Sequence, residues 1–496
     1  MSGHIRSSSD ICKEFFMENK QDKTHQLGFG GLTAMIIGST IGAGIFTIAG
    51  DMASNGAHTG SVLIGWSICG IGMYTLMRSF FGLNTIRPEL TNGIYSYAKE
   101  GFGEFVGFNS AWGYWMSALI SNVSYITLLF GSLGYFFPVF AKGTNTVSVI
   151  CGSVLVWMIV ALVLRGVKQA TLVTTVATIC KLIPIFVFIA AVPLASKFDP
   201  EIFFDNFWGN GTLSLNSQIM ATTSSTVWAF IGVEGAVVLS ARAKKPDDVG
   251  KASLTGFLGL LALYVIVAVL SMGVLPVEEL ARLDNPQMAH ILEAAVGPWG
   301  ATIVNIGVIV SIAGALLGWT IIAAECPYEA AKQGVFTRAF GKSNKNGSPA
   351  VSLIITNILI QIFLLIVLLN ESSYLAFYTI GASMIMLPYL LSALYYAKLT
   401  FSAGIRSSID GGALVRERIF ALMGTLYGIW MIVSSGMVQV LITSILYAPG
   451  ILVYMKGRRE KDLFVFRRYE KNIAYIITAL AILSLILLFT GAIDPF

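Results

Sequence analysis

The chain reads as a succession of apolar runs, each roughly 18 to 25 residues long, and a helix of that length matches the hydrocarbon core of a bilayer. Inside lipid every backbone N–H and C=O must find a partner within the protein, so such a chain folds as a bundle of spanning helices. Hydrophobic residues make up 55% of the 496 and charged residues 12%, with a mean hydropathy of +0.75. Those proportions exclude an ordinary soluble domain. The expected fold class is an all-α integral membrane protein.

Spans are expected near Thr33 to Ala53, Val62 to Leu83, Phe105 to Phe137, Val147 to Leu164 and Thr171 to Leu194. A second group of five follows near Gln218 to Leu239, Leu254 to Leu275, Ala301 to Ala323, Val351 to Leu369 and Tyr374 to Ala397. The run from Ile419 to Met455 would extend about 55 Å as one helix, well beyond a core of about 30 Å. It is therefore divided near Ser434-Ser435-Gly436, and a last span from Ile473 to Thr490 brings the expected number to about 13 transmembrane helices. This gives an organisation of a tail (1–27), a first five-helix repeat (28–200), a second, inverted five-helix repeat (201–400) and C-terminal helices 11–13 (401–496).

Charge supports this arrangement, because cytoplasmic loops collect Lys and Arg. With the N-terminus cytoplasmic, that side receives Arg6, Lys13, Lys20 and Lys23, then Arg242, Lys244, Lys245 and Lys251, then Lys332, Arg338, Lys342 and Lys345. After span 12 come Lys456, Arg458, Arg459, Lys461, Arg467, Arg468 and Lys471, whereas the opposite side holds Lys142, Lys197 and Arg282. The net charge of +5 thus reflects topology and contact with membrane lipid, not nucleic acid. The first 27 residues have no apolar core like that of a signal peptide and read as a cytoplasmic tail. The five cysteines show no paired spacing, and the four histidines lie outside the spans. No disulfide framework, metal site or cofactor is expected.

Two spans are written to break. The first holds Gly38, Gly42 and Gly44 within Gly38-Ser39-Thr40-Ile41-Gly42-Ala43-Gly44, and the sixth holds Phe230-Ile231-Gly232-Val233-Glu234-Gly235, with a carboxylate in mid-membrane. Each opens a group of five, and an odd number of helices per group makes the second group upside down relative to the first. Inverted repeats that each contribute one discontinuous helix build a shared substrate site. Freed N–H groups at the start of a half-helix suit a carboxylate, and freed carbonyls at the end of the preceding half suit an ammonium. Together they describe a receptor for the backbone of an amino acid.

At these residues the chain resembles the amino acid/polyamine/organocation superfamily, and within it the basic amino acid/polyamine antiporters, including arginine/ornithine and amino acid/amine exchangers. The segments that carry the resemblance are Gly42-Ala43-Gly44-Ile45-Phe46, Asn92-Gly93-Ile94-Tyr95-Ser96-Tyr97-Ala98, Gly107-Phe108-Asn109-Ser110-Ala111-Trp112-Gly113-Tyr114-Trp115, Phe230-Ile231-Gly232-Val233-Glu234, and Ala323-Ala324-Glu325-Cys326-Pro327-Tyr328-Glu329-Ala330-Ala331-Lys332. It implies five plus five inverted helices with discontinuous helices 1 and 6, working by alternating access. It also implies a substrate site at Ser39, Thr40, Ile41, Gly42, Ala43 and Gly44, with Asn122 on helix 3, Trp228 and Ile231 on helix 6 and Trp319 on helix 8. Tyr114, Lys181, Glu234 and Glu325 are the implied gating or coupling residues. Ala43 departs from the pattern, since such relatives often have Ser there.

Each residue also has a plainer reading. Gly38 and Gly42 form a small-xxx-small pair of the kind that lets helices pack. Glu234 suits a structural carboxylate as well as a coupling group, although an ionisable residue inside a span is a functional candidate by default. Lys181 is either an ammonium built in where sodium-coupled relatives bind an ion, or a lysine reaching the interface along its stem. Trp228 and Trp319 serve packing or stack on a cationic side chain, worth about 0.5 to 2 kcal/mol. Asn122 and Tyr114 suit interhelical hydrogen bonds equally well.

The function expected is antiport of an amino acid, of cationic arginine/ornithine type, against a related amino acid or its decarboxylated amine. A proton-coupled symporter of the same fold is the first alternative, and a membrane-embedded enzyme or receptor the remote one, since no nucleophile–base set or phosphate loop is present in the sequence. The expected location is the plasma membrane, and the sequence leaves a homodimer open.

Overall fold

A computed structural model describes residues 29–90, 94–166, 170–234, 246–370, 374–403 and 411–493; the side chains of 31, 32, 34, 35, 39, 170–179, 246–249 and 370 are not among those described. Among the described residues every regular element is helical. The expected tail, the Asn92-Gly93 part of its motif, and Arg242, Lys244 and Lys245 lie outside them.

The first span is in two pieces. Helix α1 (Phe29–Thr40) stops in the middle of the apolar run, residues 41–43 are non-helical, a 3-10 turn covers Gly44–Phe46, and α2 (Ile48–Ser54) completes the crossing. The first group continues through α3 (Thr59–Ile86), a short α4 (Ile94–Phe102), α5 (Glu104–Phe136), α6 (Thr146–Leu164) and α7 (Ala170–Leu194). After α8 (Pro200–Phe204), helices α9 (Leu215–Ala221) and α10 (Thr223–Phe230) run into a turn at 231–234, and α11 (Pro246–Val274) follows. Two short helices, α12 (Val277–Leu280) and α13 (Gln287–Val296), precede α14 (Pro298–Lys332), α15 (Ala350–Asn370) and α16 (Tyr374–Thr400). The chain closes with α17 (Gly411–Ser434), α18 (Gly436–Arg459) and α19 (Arg468–Phe489).

Local chemistry sets several of these ends. The Asn145 side chain accepts the Ser148 N–H at 3.0 Å and so caps α6, satisfying one of the donors that a helix start leaves free. Pro298 occupies the first turn of α14, where a missing N–H costs nothing. The long run after residue 411 divides where its length requires: α17 ends at Ser434, and Gly436 takes φ +86° to start α18. That left-handed conformation is open to glycine and strained for other residues. The eighth span runs past the expected Ala323 to Lys332. Apolarity ends near there, but the helix goes on as a polar extension in which Lys332 and Glu329 pair at 2.7 Å.

Nine helices among the described residues are long and apolar enough to cross a bilayer; the chain is a multi-pass membrane protein. Helix α5 is buried along almost its whole length, as a helix at the centre of a bundle is. Helices α14 and α16 pack against it. The C-terminal helices dock on this centre by polar contacts as well as apolar ones. Arg78 of α3 pairs with Glu417 of α17 at 2.6 Å, and Tyr396 donates to the same carboxylate at 2.8 Å. Trp112 Nε1 donates to the Leu446 carbonyl at 2.8 Å. Helix α19 lies at the periphery, with few buried residues.

The gap in the first span has an occupant supplied by the chain itself. Lys181 of α7 is buried, and its Nζ donates to the carbonyls of Gly38 and, at 2.6 Å, Ile41. These are carbonyls that the end of α1 leaves without helical partners. Lys181→Met keeps the bulk and removes both donors. Each orphaned carbonyl costs about 1–3 kcal/mol, partly offset by no longer desolvating an ammonium. The midpoint of thermal unfolding in detergent should therefore fall; an unchanged midpoint would mean that these carbonyls do not depend on Lys181.

Candidate functional site

Where α1 stops, the backbone turns its polar groups inward. Ile41 N–H still bonds to the Ile37 carbonyl at 3.0 Å, and Phe46 N–H closes the 3-10 turn on Ala43 at 3.1 Å. Among the described residues the N–H groups of Gly42 and Gly44 have no backbone acceptor. Gly44 is buried and Gly42 half-buried, and both open the backbone to close neighbours. A Cβ on Gly44 would lie 2.8 Å from Trp228 Cδ1, and one on Gly42 would lie 2.8 Å from the Tyr125 hydroxyl. The absence of side chains thus brings the first break directly under the Trp228 ring. Ala43 and Ile41 are buried beside it, and the side chain of Ser39 lies outside the described residues.

The second break begins just after Trp228. Gly232 takes φ +103° in the turn at 231–234, so the helix cannot continue. The buried Glu234 carboxylate folds back to accept the Gly232 N–H at 3.0 Å. It also accepts the hydroxyls of Tyr114 from α5 at 3.1 Å and Tyr389 from α16 at 2.5 Å. Three donors from three parts of the bundle meet on one buried carboxylate. This compensates its desolvation and links the second break to α5 and α16.

On the other side of the breaks Trp228 is held by aromatic neighbours. Its Nε1 donates to the Tyr374 hydroxyl at 2.9 Å, and its ring lies 5.4 Å from Tyr378 and 5.7 Å from Tyr125, centroid to centroid. Tyr378 in turn shares a 2.9 Å hydrogen bond with Ser225. Asn122 is 1% exposed, yet neither atom of its amide has a partner, and the buried Thr40 hydroxyl also has none. Buried polar groups are nearly always paired, so an orphaned amide three residues from Tyr125, the neighbour of Gly42, marks a place for polar atoms from elsewhere.

The structure thus assembles Thr40, Ile41, Gly42, Ala43, Gly44, Trp228 and Lys181 around the first break, with Asn122 deep in α5 on the same helix as Tyr125. It joins Tyr114 to Glu234 and keeps Ile231 buried between the two sets. Trp319 is buried in α14 but makes no ring contact with Trp228 among the described residues. Glu325 stands apart, exposed near the end of α14, and takes no part in the Glu234 network.

Sequence reasoning missed Tyr125, Tyr374, Tyr378 and Tyr389, and it missed Asp51. The tyrosines carried a signal, because the spacing of Tyr374, Tyr378 and Tyr389 places all three on one face of α16. Asp51 did too, as a carboxylate inside an expected span. Glu234→Gln retains one acceptor but places an amide donor among N–H and O–H donors. Losing charge-assisted bonds worth about 1.5–3 kcal/mol should slow transport about tenfold or more, with membrane insertion intact. Wild-type rates in this variant would remove the carboxylate from the mechanism.

The sequence profile described as amino acid permease matches residues 27–438. An arginine/ornithine antiporter of Pseudomonas aeruginosa is 42% identical over 471 residues, covering 93% of this chain and 97% of the relative. An arginine/agmatine antiporter of Chlamydia caviae is 38% identical over 490 residues, covering 96% and 99%. A putative arginine/ornithine antiporter of Escherichia coli K12 is 40% identical over 440 residues, covering 88% and 92%. With two broken helices facing each other at the centre of a helical bundle, and a profile match over most of its length, the chain belongs to the amino acid permease family.

Proposed function

We propose that this protein is a secondary active antiporter that exchanges a cationic amino acid of the arginine type for ornithine or for the decarboxylated amine, by alternating access. The observation that carries the reading is the meeting of the two breaks: unbonded Gly42 and Gly44 N–H groups, the orphaned Asn122 amide, and the Trp228 ring pressed on Gly44. The N–H groups receive the carboxylate of the amino acid, with Ser39 and Thr40 beside it. Its side chain runs past Asn122 and Ile231 between Trp228 and Trp319, whose faces attract a guanidinium. Tyr114, Glu234 and Tyr389 form the gate on the basic-loop side. Arginine/ornithine and arginine/agmatine antiporters among the relatives support the substrate class.

A proton-coupled symporter is the second reading, and the place of Lys181 supports it. An ammonium on the Gly38 and Ile41 carbonyls is a titratable cation at the pivot of the first span. Glu325 belongs to an inner gate in either reading. The unit at 28–200, its inverted counterpart at 201–400 and the added helices at 401–496 suit a plasma-membrane carrier with a cytoplasmic N-terminus. Membrane lipid surrounds it, and a homodimer is compatible with the exposed face of α19.

Labelled arginine entering purified proteoliposomes tests the reading. Uptake should be strongly stimulated by internal ornithine, agmatine or arginine and stay near background in empty vesicles. Equal uptake into empty vesicles driven by an inward proton gradient would establish the symporter, and no uptake under any preload would overturn the arginine assignment.

A further inference from the structure

The side of the site covered by Trp228 and Tyr374 holds a second buried carboxylate with no role in the exchange derived above. Asp51 lies in α2, the half-helix beyond the first break, and is 2% exposed. Gln287, the first residue of α13, lies across it, and its Nε2 donates to Asp51 Oδ1 at 3.2 Å. Gly50 makes this approach feasible, since a Cβ there would stand 2.3 Å from Gln287 Cγ. The other end of the same amide, Gln287 Oε1, is buried without a partner. Among the described residues Asp51 takes part in no ion pair.

Around this pair the surroundings suit a cation. Thr47, one turn before Asp51, donates its hydroxyl to the Gly44 carbonyl at 3.3 Å, and its own carbonyl accepts the Asp51 N–H at 2.9 Å. Tyr374 accepts from Trp228 and packs against Tyr378, ring centroids 5.2 Å apart. A carboxylate, an unpaired amide oxygen and a group of aromatic rings therefore converge just outside the proposed substrate site. A buried carboxylate held by neutral donors alone is poorly compensated. A guanidinium brings several N–H donors on one plane, enough for both the Asp51 carboxylate and Gln287 Oε1, and a positive charge that the ring faces attract.

We propose that Asp51 and Gln287 form an outer subsite for the guanidinium or ammonium end of an incoming substrate, with the Gln287 amide holding the carboxylate while the protein is closed. The subsite deepens the arginine-type reading and rests on it. Opening separates α13 from α2, bares Asp51 to the outside, and lets the cation dock before it moves inward past Trp228. Neutral amino acids gain nothing from this step, so Asp51 sets the preference for cations at one face of the membrane only.

The test compares wild-type protein with Asp51→Asn in intact cells for the outer face and in inside-out vesicles for the inner face. Asp51→Asn should raise the external half-saturation concentration for arginine about tenfold, as the loss of one charge pair does. The internal value should stay within about twofold, and external competition by citrulline, the neutral isostere, should not change. An unchanged external value, an equal rise at both faces, or an equal loss for citrulline overturns the subsite. Should Asp51→Asn fail to reach the membrane, Asp51→Glu carries the test. It shifts the charge by one methylene and must change the arginine-to-citrulline preference outside while leaving the inner face as in wild type; an unchanged preference overturns the proposal. A wild-type protein that exchanges no arginine defeats the functional reading instead. The same comparison with whichever cation it does carry then decides the subsite, and carriage of neutral substrates alone overturns both.

Discussion

Everything at the centre of this protein depends on a backbone that stops being helical in the middle of a membrane. A helix crosses lipid because its own hydrogen bonds satisfy it, and a break exposes donors on one side and acceptors on the other. The acceptors at Gly38 and Ile41 are answered by the Lys181 ammonium, so two carbonyls of the break are satisfied within the chain. The donor half, at Gly42 and Gly44, is left without backbone acceptors. Under the proposed exchange these free N–H groups receive the anionic end of the substrate, with the Lys181 ammonium already in place at the same break.

The same logic organises the flanks. On the basic-loop side three donors converge on Glu234, and on the other side Trp228 is fixed by a tyrosine of α16 and by its contact with the first break. Helix α16 serves both sides, through Tyr374 and Tyr389. One helix thus touches both clusters, which under the proposed exchange gives a physical route for opening one to bear on the other. A ligand biases such an element only by binding its two arrangements with different affinity.

Much of this was legible in the sequence, for identifiable reasons. Glycine clusters in an apolar run announce a weak helix, and both breaks fall where they predicted. The division at Ser434 to Gly436 followed from length alone and is where Gly436 turns. Lys181 was visible as a cation in a span, but its partners are backbone carbonyls some 140 residues away in sequence, at Gly38 and Ile41, and no local pattern encodes them. The tyrosines of α16 went unread, because their partners Glu234 and Trp228 lie some 150 residues away in sequence. Glu325 shows the converse: a charge at a recognisable motif that the fold leaves exposed, away from the Glu234 network. The first apolar run hid Asp51 among hydrophobic neighbours, because a run judged by its average absorbs a single carboxylate.

The central claim is that the unbonded N–H groups of the first break receive substrate, and hydrogen–deuterium exchange reads those groups directly. Adding arginine to the purified protein should slow exchange in peptides that cover residues 38–47 more than in peptides from α18 or α19. Uniform slowing across the protein, or none at 38–47 under conditions where arginine is bound, would contradict the account.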